Sequence, residues 1–371
     1  MTTAAQAAIC YGADKPFTIE DVTLDDPRPD EVLVRIVACG ICHTDMAVRD
    51  GQLPTPLPAI LGHEGGGIVE KVGADVTHVK PGDRVLMSFN SCGHCPSCDV
   101  ERPTYCYNFV PENWTGVRPD GSPTARRGAE PVNANFFGQS SFATYALGHA
   151  RNVVKVPDSA AEIPLERLAP LGCGLMTGAG AVLRSMAVRK GLPIAVFGTG
   201  AVGLGAIMAA KIAGANPIIA VDIHDSRLAT ARELGATHAI NSKEQDAIAE
   251  IGALCPQGLA YAFDTTGIAS IIEQAFTLLS PLGILGMVGA SPPTNMLSFN
   301  ESSFMGGGKR VMGILGGDSD IQTFVPELIE HHLAGRFPFE RLIRTFPFSQ
   351  INEAFHAGES GAVVKPVLVM G

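Results

Sequence analysis

Four cysteines fall within fifteen residues, Cys92-Gly-His-Cys95-Pro-Ser-Cys98 and then Cys106, and no other feature constrains the 371-residue chain so tightly. Thiolates at that spacing can close a tetrahedron around one zinc ion and leave no position open, which makes a structural site pinning a lobe at about residues 90–107. Disulfides or free thiols are the alternatives. The chain starts Met-Thr-Thr-Ala-Ala-Gln, without the basic start and apolar core of an export signal, which predicts a cytoplasmic, reducing setting. There, clustered cysteines hold metal more often than they pair. His94 lies inside the cluster, but four sulfurs fill the shell, so it reads as a loop residue. Cys10, Cys39 and Cys255 read as small buried hydrophobes, although Cys39-x2-Cys42 imitates a metal knuckle.

The length suits two domains, each large enough to bury its own core. Apolar residues make up 46% and charged residues 17%, a globular balance that argues against extended disorder. A formal charge of −10 with no basic run opposes a nucleic-acid role, which needs a positive footprint. Two long uncharged stretches invite reading as membrane spans. The first, residues 191–210, carries five glycines in a phosphate-loop pattern, and the second, 274–300, is broken by Pro281, Pro292 and Pro293. Neither reads as a span.

The first part has the texture of β-structure. Strands are predicted at Glu31-Val-Leu-Val-Arg-Ile-Val-Ala38, Gly67-Ile-Val-Glu-Lys-Val-Gly73 and Arg84-Val-Leu-Met-Ser-Phe89, with a turn at Lys80-Pro-Gly-Asp83. Residues 107–135, rich in Pro, Gly and Asn, read as a long excursion. After about residue 175 short apolar runs alternate with helical segments: Ile194–Phe197, Pro217–Val221, Tyr261–Asp264, Ile284–Val288 and Val311–Leu315, with His238–Asn241 as a sixth candidate strand. Leu228, Ala231 and Leu234 share one face of a helix that Gly235 terminates. This alternation predicts a doubly wound parallel sheet.

Gly198-Thr-Gly200-Ala-Val-Gly203 follows the first of those runs directly and opens a helix from Leu204 to Ala213. Glycines there allow a tight turn and let a pyrophosphate approach the helix N-terminus. The pattern alone also suits a plain turn. Its context decides: the next strand ends at Asp222, nineteen residues beyond Gly203. A carboxylate there can bind both hydroxyls of an adenosine ribose and repel a 2′-phosphate, which favours NAD over NADP. A solvated strand end would not explain that spacing. Arg227 either flanks the ribose or is an exposed helix arginine.

Three further motifs are Gly40-Ile-Cys42-His43-Thr44-Asp45, Gly62-His63-Glu64-Gly65-Gly66-Gly67 and Leu171-Gly-Cys173-Gly174. With the four-cysteine lobe and the glycine loop, they make the chain resemble the zinc-containing medium-chain alcohol dehydrogenases over its full length. Phe136-Phe-Gly-Gln-Ser-Ser-Phe-Ala-Thr-Tyr-Ala-Leu147 and Pro170-Leu-Gly-Cys-Gly174 are similar to the aryl (benzyl) alcohol and allylic terpene-alcohol (geraniol-type) members. The resemblance implies an α/β fold with a GroES-like β-rich catalytic domain (1–174), a Rossmann cofactor domain (175–314) and a C-terminal segment (315–371) returning to the first. It also implies two zinc ions per chain, NAD, and a small alcohol or aldehyde as substrate, with no nucleic-acid or membrane partner. The long excursion is closer to that of dimeric relatives than to the trimmed version in tetrameric ones, so a homodimer is expected.

By matching position, the resemblance makes Cys42, His63 and Cys173 the ligands of a catalytic zinc, the two-cysteine, one-histidine set known for alcohol dehydrogenase. Two thiolates would offset the ion's charge while leaving enough Lewis acidity to acidify an alcohol. Glu64 and Asp45 match acids that orient or exchange with the ligands, although either alone reads equally well as a surface carboxylate. Thr44 matches the hydroxyl that takes the alcohol's proton, unless it caps a helix. Relatives pass that proton on to a histidine five residues after the first ligand, where this chain has Ala47. His43 matches a cation that faces the cofactor pyrophosphate. Thr177, Thr199, Ala201, Val202, Ile223, Val288 and Lys365 match further cofactor contacts. Leu53, Ser88, Phe136, Phe137 and Ala290 match the substrate pocket, although paired phenylalanines are also ordinary core. Paired rings suit an aryl or flat allylic alcohol. Phe89 and Trp114 lie nearby in sequence without a readable orientation. A glutathione adduct of formaldehyde, a short-chain alcohol or a polyol are the competing substrates. A zinc-ribbon interaction module would explain the four cysteines but leave Gly198 to Asp222 without a role.

Overall fold

Contacts in the computed structural model divide the chain into two units. One holds the residues up to Cys173 with Asp320–Leu333 and Phe339–Gly371; the other holds Gly174–Ser319 with Ala334–Pro338. The structure describes all residues except Met1, Asp14, Pro292 and Pro293. Two of the prolines read above as interrupting an apolar stretch, Pro292 and Pro293, therefore lie outside the described residues. No helix among the described residues is long and apolar enough to cross a membrane.

The first unit is organised around Glu31–Gly40. Val32, Leu33, Val34, Ile36, Ala38 and Cys39 are buried, and Arg35 is the exposed residue of the run, because the strand has neighbours on both edges and cover on both faces. That double burial explains why its sequence alternates only in part. Glu64–Val72 and Lys365–Val369 flank it, both antiparallel. The full seven-stranded sheet adds Arg84–Met87, Val153–Lys155, Ile343–Pro347 and Tyr145–His149. A five-stranded antiparallel sheet, with Thr3–Cys10 and Thr18–Leu24 paired at its centre, completes the unit.

One consequence of this register bears directly on the site. Gly40 pairs with Glu64 and Cys39 with Gly65, so two motifs some twenty residues apart end side by side. Gly40 has to be glycine: a Cβ there would lie 1.9 Å from the Glu64 carboxylate. The C-terminal strand joins on the other edge, Val367 opposite Gly40, which carries Lys365 to the same end.

The second unit holds six parallel strands in the order His238–Asn241, Ile218–Asp222, Ile194–Phe197, Leu259–Asp264, Leu279–Met287, Arg310–Gly313. All six candidate strands are present, and Ala201–Ala213 and Asp225–Leu234 are the helices that follow two of them. Leu228, Ala231 and Leu234 are buried, as the helical face predicts. The excursion at 107–135 is structured: it contains the helix Phe109–Asn113 and the hairpin Ala125–Arg127/Glu130–Val132.

Candidate active site and metal centres

Cys42, His63, Glu64 and Cys173 each place a ligand-capable atom within 4.8 Å of the others. Strand pairing delivers the first three. Cys173 arrives at the end of the turn Ala169–Gly172, which Ser88 fastens by donating its hydroxyl to the Gly172 carbonyl at 2.5 Å. The Cys42 and Cys173 sulfurs are 4.0 Å apart, close to the edge of about 3.8 Å that a tetrahedron with zinc–sulfur bonds near 2.3 Å requires. A hydrogen bond from Cys173 pulls the Cys42 thiol well below its usual range and raises Cys173 correspondingly.

His63 is 1% exposed, and its Nε2 is buried without a hydrogen-bond partner. An orphaned imidazole nitrogen beside two sulfurs is the signature expected of a metal ligand. Its Nδ1 lies 3.0 Å from the carboxylate of Asp45. Asp45 is fully buried, and its two oxygens also accept the backbone N–H groups of Gly62 at 3.1 Å and Cys42 at 2.9 Å. One carboxylate therefore fixes two candidate ligands at once, and it holds the His63 tautomer whose free lone pair points at the cluster.

Cys42 is the N-cap of the helix His43–Arg49. The alternative reading of Thr44 as a capping residue therefore gives way, because the capping box is built from Cys42 and Asp45 and Thr44 lies inside the helix. Thr44 is half-buried, its hydroxyl 3.7 Å from the Cys42 sulfur. His43 is exposed on the same turn, and Ala47 is buried on it. Lys365 is 2% exposed and donates from Nζ to both Glu64 oxygens, at 2.8 and 3.0 Å, and to the Ile41 carbonyl at 3.1 Å. Neither sequence spacing nor resemblance announced this pair. Burial raises the Glu64 carboxyl, and the ammonium beside it opposes that shift.

Aromatic rings surround His63. Phe137 stacks on the imidazole with centroids 4.6 Å apart and planes 26° apart, and Phe136 meets it edge-on at 5.5 Å. Trp114 packs edge-on against Phe137 at 5.0 Å, and Phe109 does so at 6.3 Å. Phe89 contacts Phe109 in turn. Phe89 and Trp114 escaped orientation from the sequence because their partners lie on other segments, and Phe109 carried no signal there at all. Gln139 is a second omission. Buried, it donates to the His63 and Ser88 carbonyls and accepts from Gly65, tying the histidine strand to the next one. Of the remaining pocket candidates, Leu53 is half-buried and Ala290 is exposed.

All four sulfurs of Cys92, Cys95, Cys98 and Cys106 also lie within 4.8 Å of one another, with Cys95 at 3.5 Å from Cys98 and 3.9 Å from Cys106. None of them is in a disulfide. Backbone N–H groups already serve the sulfurs, from Tyr107 to Cys95 and from Cys92 to Cys106. The former lowers the Cys95 thiol to about 6, while burial pushes Cys106 up to about 12. His94 is exposed and bonds the Cys92 carbonyl, outside the sulfur cage. The donor set fits a closed tetrahedral zinc site.

In the second unit, the glycine loop shows three separate demands. Gly198 has φ +88° and no room for a Cβ beside Thr265; a Cβ on Gly203 would lie 1.9 Å from the Gly198 carbonyl; a Cβ on Gly200 would meet nothing within 4 Å. The first two keep the turn and the helix close to the strand, and the third leaves open space at a helix N-terminus that no side chain caps. That cradle fits a pyrophosphate. Asp222 accepts from the Thr199 N–H and hydroxyl on one oxygen and from the Ile223 and His224 N–H groups on the other. Burial opposes its ionisation, but these donors and the charge of Arg227 outweigh burial and hold the carboxyl below its usual range. Ala201, Val202 and Val288 are half-buried, Ile223 is 45% exposed, and Thr177 is buried on Gly174–Gly180.

The alcohol dehydrogenase GroES-like domain family matches residues 28–158, and the zinc-binding dehydrogenase family matches residues 201–330. Geraniol dehydrogenase of Castellaniella defragrans is 44% identical over 367 residues, which is 98% of this chain and 97% of that protein. The crystal structure of an alcohol dehydrogenase zinc-binding domain protein from Burkholderia ambifaria superposes with a TM-score of 0.97 at 49% identity. That of benzyl alcohol dehydrogenase from Acinetobacter calcoaceticus gives 0.95 at 40%. Both structural matches cover 100% of each chain.

Proposed function

We propose, since the chain belongs to the zinc-containing medium-chain alcohol dehydrogenases, that it oxidises primary aryl or allylic alcohols reversibly to aldehydes, with hydride transfer to NAD. The observation that carries the substrate class is the stack of Phe137 on His63 within a cluster of five rings. A flat unsaturated substrate gains apolar burial and ring packing against such a wall, whereas ethanol gains little. The names of the geraniol and benzyl alcohol relatives agree with this reading. Rates with benzyl alcohol, geraniol, ethanol and S-hydroxymethylglutathione, each with NAD and NADP, test it. Equal or better turnover of ethanol or the glutathione adduct overturns it.

Zinc held by Cys42, His63 and Cys173 would supply Lewis acidity at the alcohol oxygen and lower its pKa. The chain's own groups do the rest. Asp45 locks the His63 tautomer, and Lys365 neutralises Glu64 so that a buried carboxylate does not stand unpaired beside two thiolates. The Thr44 hydroxyl would receive the alcohol's proton at Oγ and pass its own hydrogen on, while NAD, when bound, would supply the hydride acceptor. With Ala47 on that helix, water completes the exit. Thr44→Val, which keeps the shape and removes the hydroxyl, is expected to lower turnover roughly a hundredfold with unchanged zinc content. Near-normal turnover in that variant would remove Thr44 from the proton path.

For the cofactor, the ionised and pre-oriented Asp222 supports NAD. Asp222→Ser is expected to shift the NAD-to-NADP ratio of kcat/KM about a hundredfold toward NADP, chiefly through KM. An unchanged ratio places cofactor choice elsewhere. His43, Thr177, Arg227 and Val288 complete our assignment of cofactor contacts, and two zinc ions per chain complete that of the metals. We also assign a homodimer: Arg310–Gly313 is an edge strand, and Leu282, Phe304 and Met305 are exposed in the same unit. A monomer mass in sedimentation equilibrium contradicts that assignment.

A further inference from the structure

Phe137 has φ 52° and ψ 33°, a left-handed conformation that a bulky L-residue rarely adopts. Such a backbone persists only where its surroundings over-determine it. The restraint comes from Asn152, which is fully buried at the end of the turn Ala150–Asn152. Its amide nitrogen donates to the Phe137 carbonyl at 3.0 Å and to the Gly138 carbonyl at 2.9 Å. The backbone carbonyl of Asn152 accepts from the Ser88 N–H at 3.0 Å, which anchors the residue, and its amide nitrogen also lies 3.4 Å from the Ser88 carbonyl, while its side-chain oxygen is buried without a partner. Gly138 admits the amide, since a Cβ there would lie 2.8 Å from its nitrogen. Two adjacent carbonyls pointing at one spot need a two-hydrogen donor without charge, and among side chains of this size asparagine alone provides it.

We propose that Asn152 is a positioning residue that sets the preference for aryl and allylic alcohols, by clamping the Phe137 and Gly138 carbonyls so that the Phe137 ring stays stacked on His63. The proposal rests on the substrate reading above. Asn152 touches no reacting atom; it acts through the ring. Without its amide, two buried carbonyls lose their donor, the turn relaxes toward a right-handed backbone, and the ring leaves the imidazole. Aspartate at this position keeps the volume but turns acceptors toward both carbonyls, so it breaks the clamp without opening a cavity.

The test uses the zinc-loaded enzyme and the chain's single tryptophan, Trp114, which packs on Phe137 and reports on it without substrate. In Asn152→Ala and Asn152→Asp, kcat/KM for benzyl alcohol relative to ethanol is expected to fall about tenfold through KM. Trp114 becomes more readily quenched by acrylamide, and zinc content matches that of the wild type. In a Phe137→Gly background, where there is no ring to place and no strain to hold, Asn152→Ala is expected to change the ratio less than about twofold. That background also relieves the backbone, so it keeps the comparison available if the single variants fold poorly. Unchanged selectivity and quenching in the single variants overturns the proposal. So does an equal loss with and without the Phe137 ring, which would mark a general structural role. A wild type without aryl preference overturns the substrate reading and the selectivity assigned to Asn152 with it; unchanged selectivity in the Asn152 variants, against a clear wild-type preference, overturns the role of Asn152 alone.

Discussion

Replacing His63 with alanine is expected to remove one of the two zinc ions we assign to each chain and to lower turnover at least about a thousandfold, while the unfolding temperature changes by only a few degrees. His63 is the one member of its cluster whose available atom has no other work: Nε2 is buried without a partner, while Nδ1 is taken by Asp45. Alanine removes a third of the ligand set and leaves two sulfurs 4.0 Å apart as the remaining soft donors. Glu64 stands close enough to be considered as a substitute, but Lys365 holds both of its oxygens. Zinc stoichiometry by elemental analysis, measured with turnover on the same preparation, decides the matter. Full zinc occupancy with near-normal turnover would exclude His63 as a ligand.

The second large effect falls on stability. Cys106→Ser is expected to release the other zinc, lower the unfolding temperature by roughly 10 °C and open residues 92–107 to limited proteolysis. Small lobes of this kind have little apolar core: Val100 and Tyr107 are exposed, at 67% and 72%, and the helix Pro96–Asp99 buries none of its residues. Metal held by these four cysteines would therefore supply most of the local folding free energy. The helix Phe109–Asn113 begins three residues after Cys106 and contributes Phe109 to the aromatic wall, so aryl turnover should fall as well. Retained zinc and an unchanged protease pattern would show that the cysteines serve another purpose.

Much of this was legible from the sequence because the signals are local. Ile194–Phe197 and His238–Asn241 coincide with observed strands, and the glycine loop and the four-cysteine lobe are each written in consecutive residues. The cluster of three candidate ligands was not legible in that way, since Cys42, His63 and Cys173 meet only through strand pairing and the turn at Ala169–Gly172. Resemblance, not spacing, connected them. Least visible were contacts whose partners lie on distant segments. Lys365 matched a cofactor position, yet its ammonium lies on Glu64. Gln139 and Asn152 are polar residues in a long run of mixed composition, and nothing in their neighbours shows that each bridges backbone carbonyls.

The two strands whose adjacent ends adjoin Cys42 and His63 are not in simple register. Val37 is an extra residue on one strand, between the pairs Ile36–Gly67 and Ala38–Gly66. Glu70 is an extra residue on the other, between Leu33–Lys71 and Val34–Val69. The two offsets cancel, which is why Gly40 still ends opposite Glu64. Ligand geometry is thus partly a matter of counting. Losing either residue alone would slide one candidate ligand past the other by about 3.3 Å and turn its side chain to the opposite face, although every candidate would remain in the sequence. Single-residue insertions and deletions in these strands should therefore be tolerated only in matched pairs.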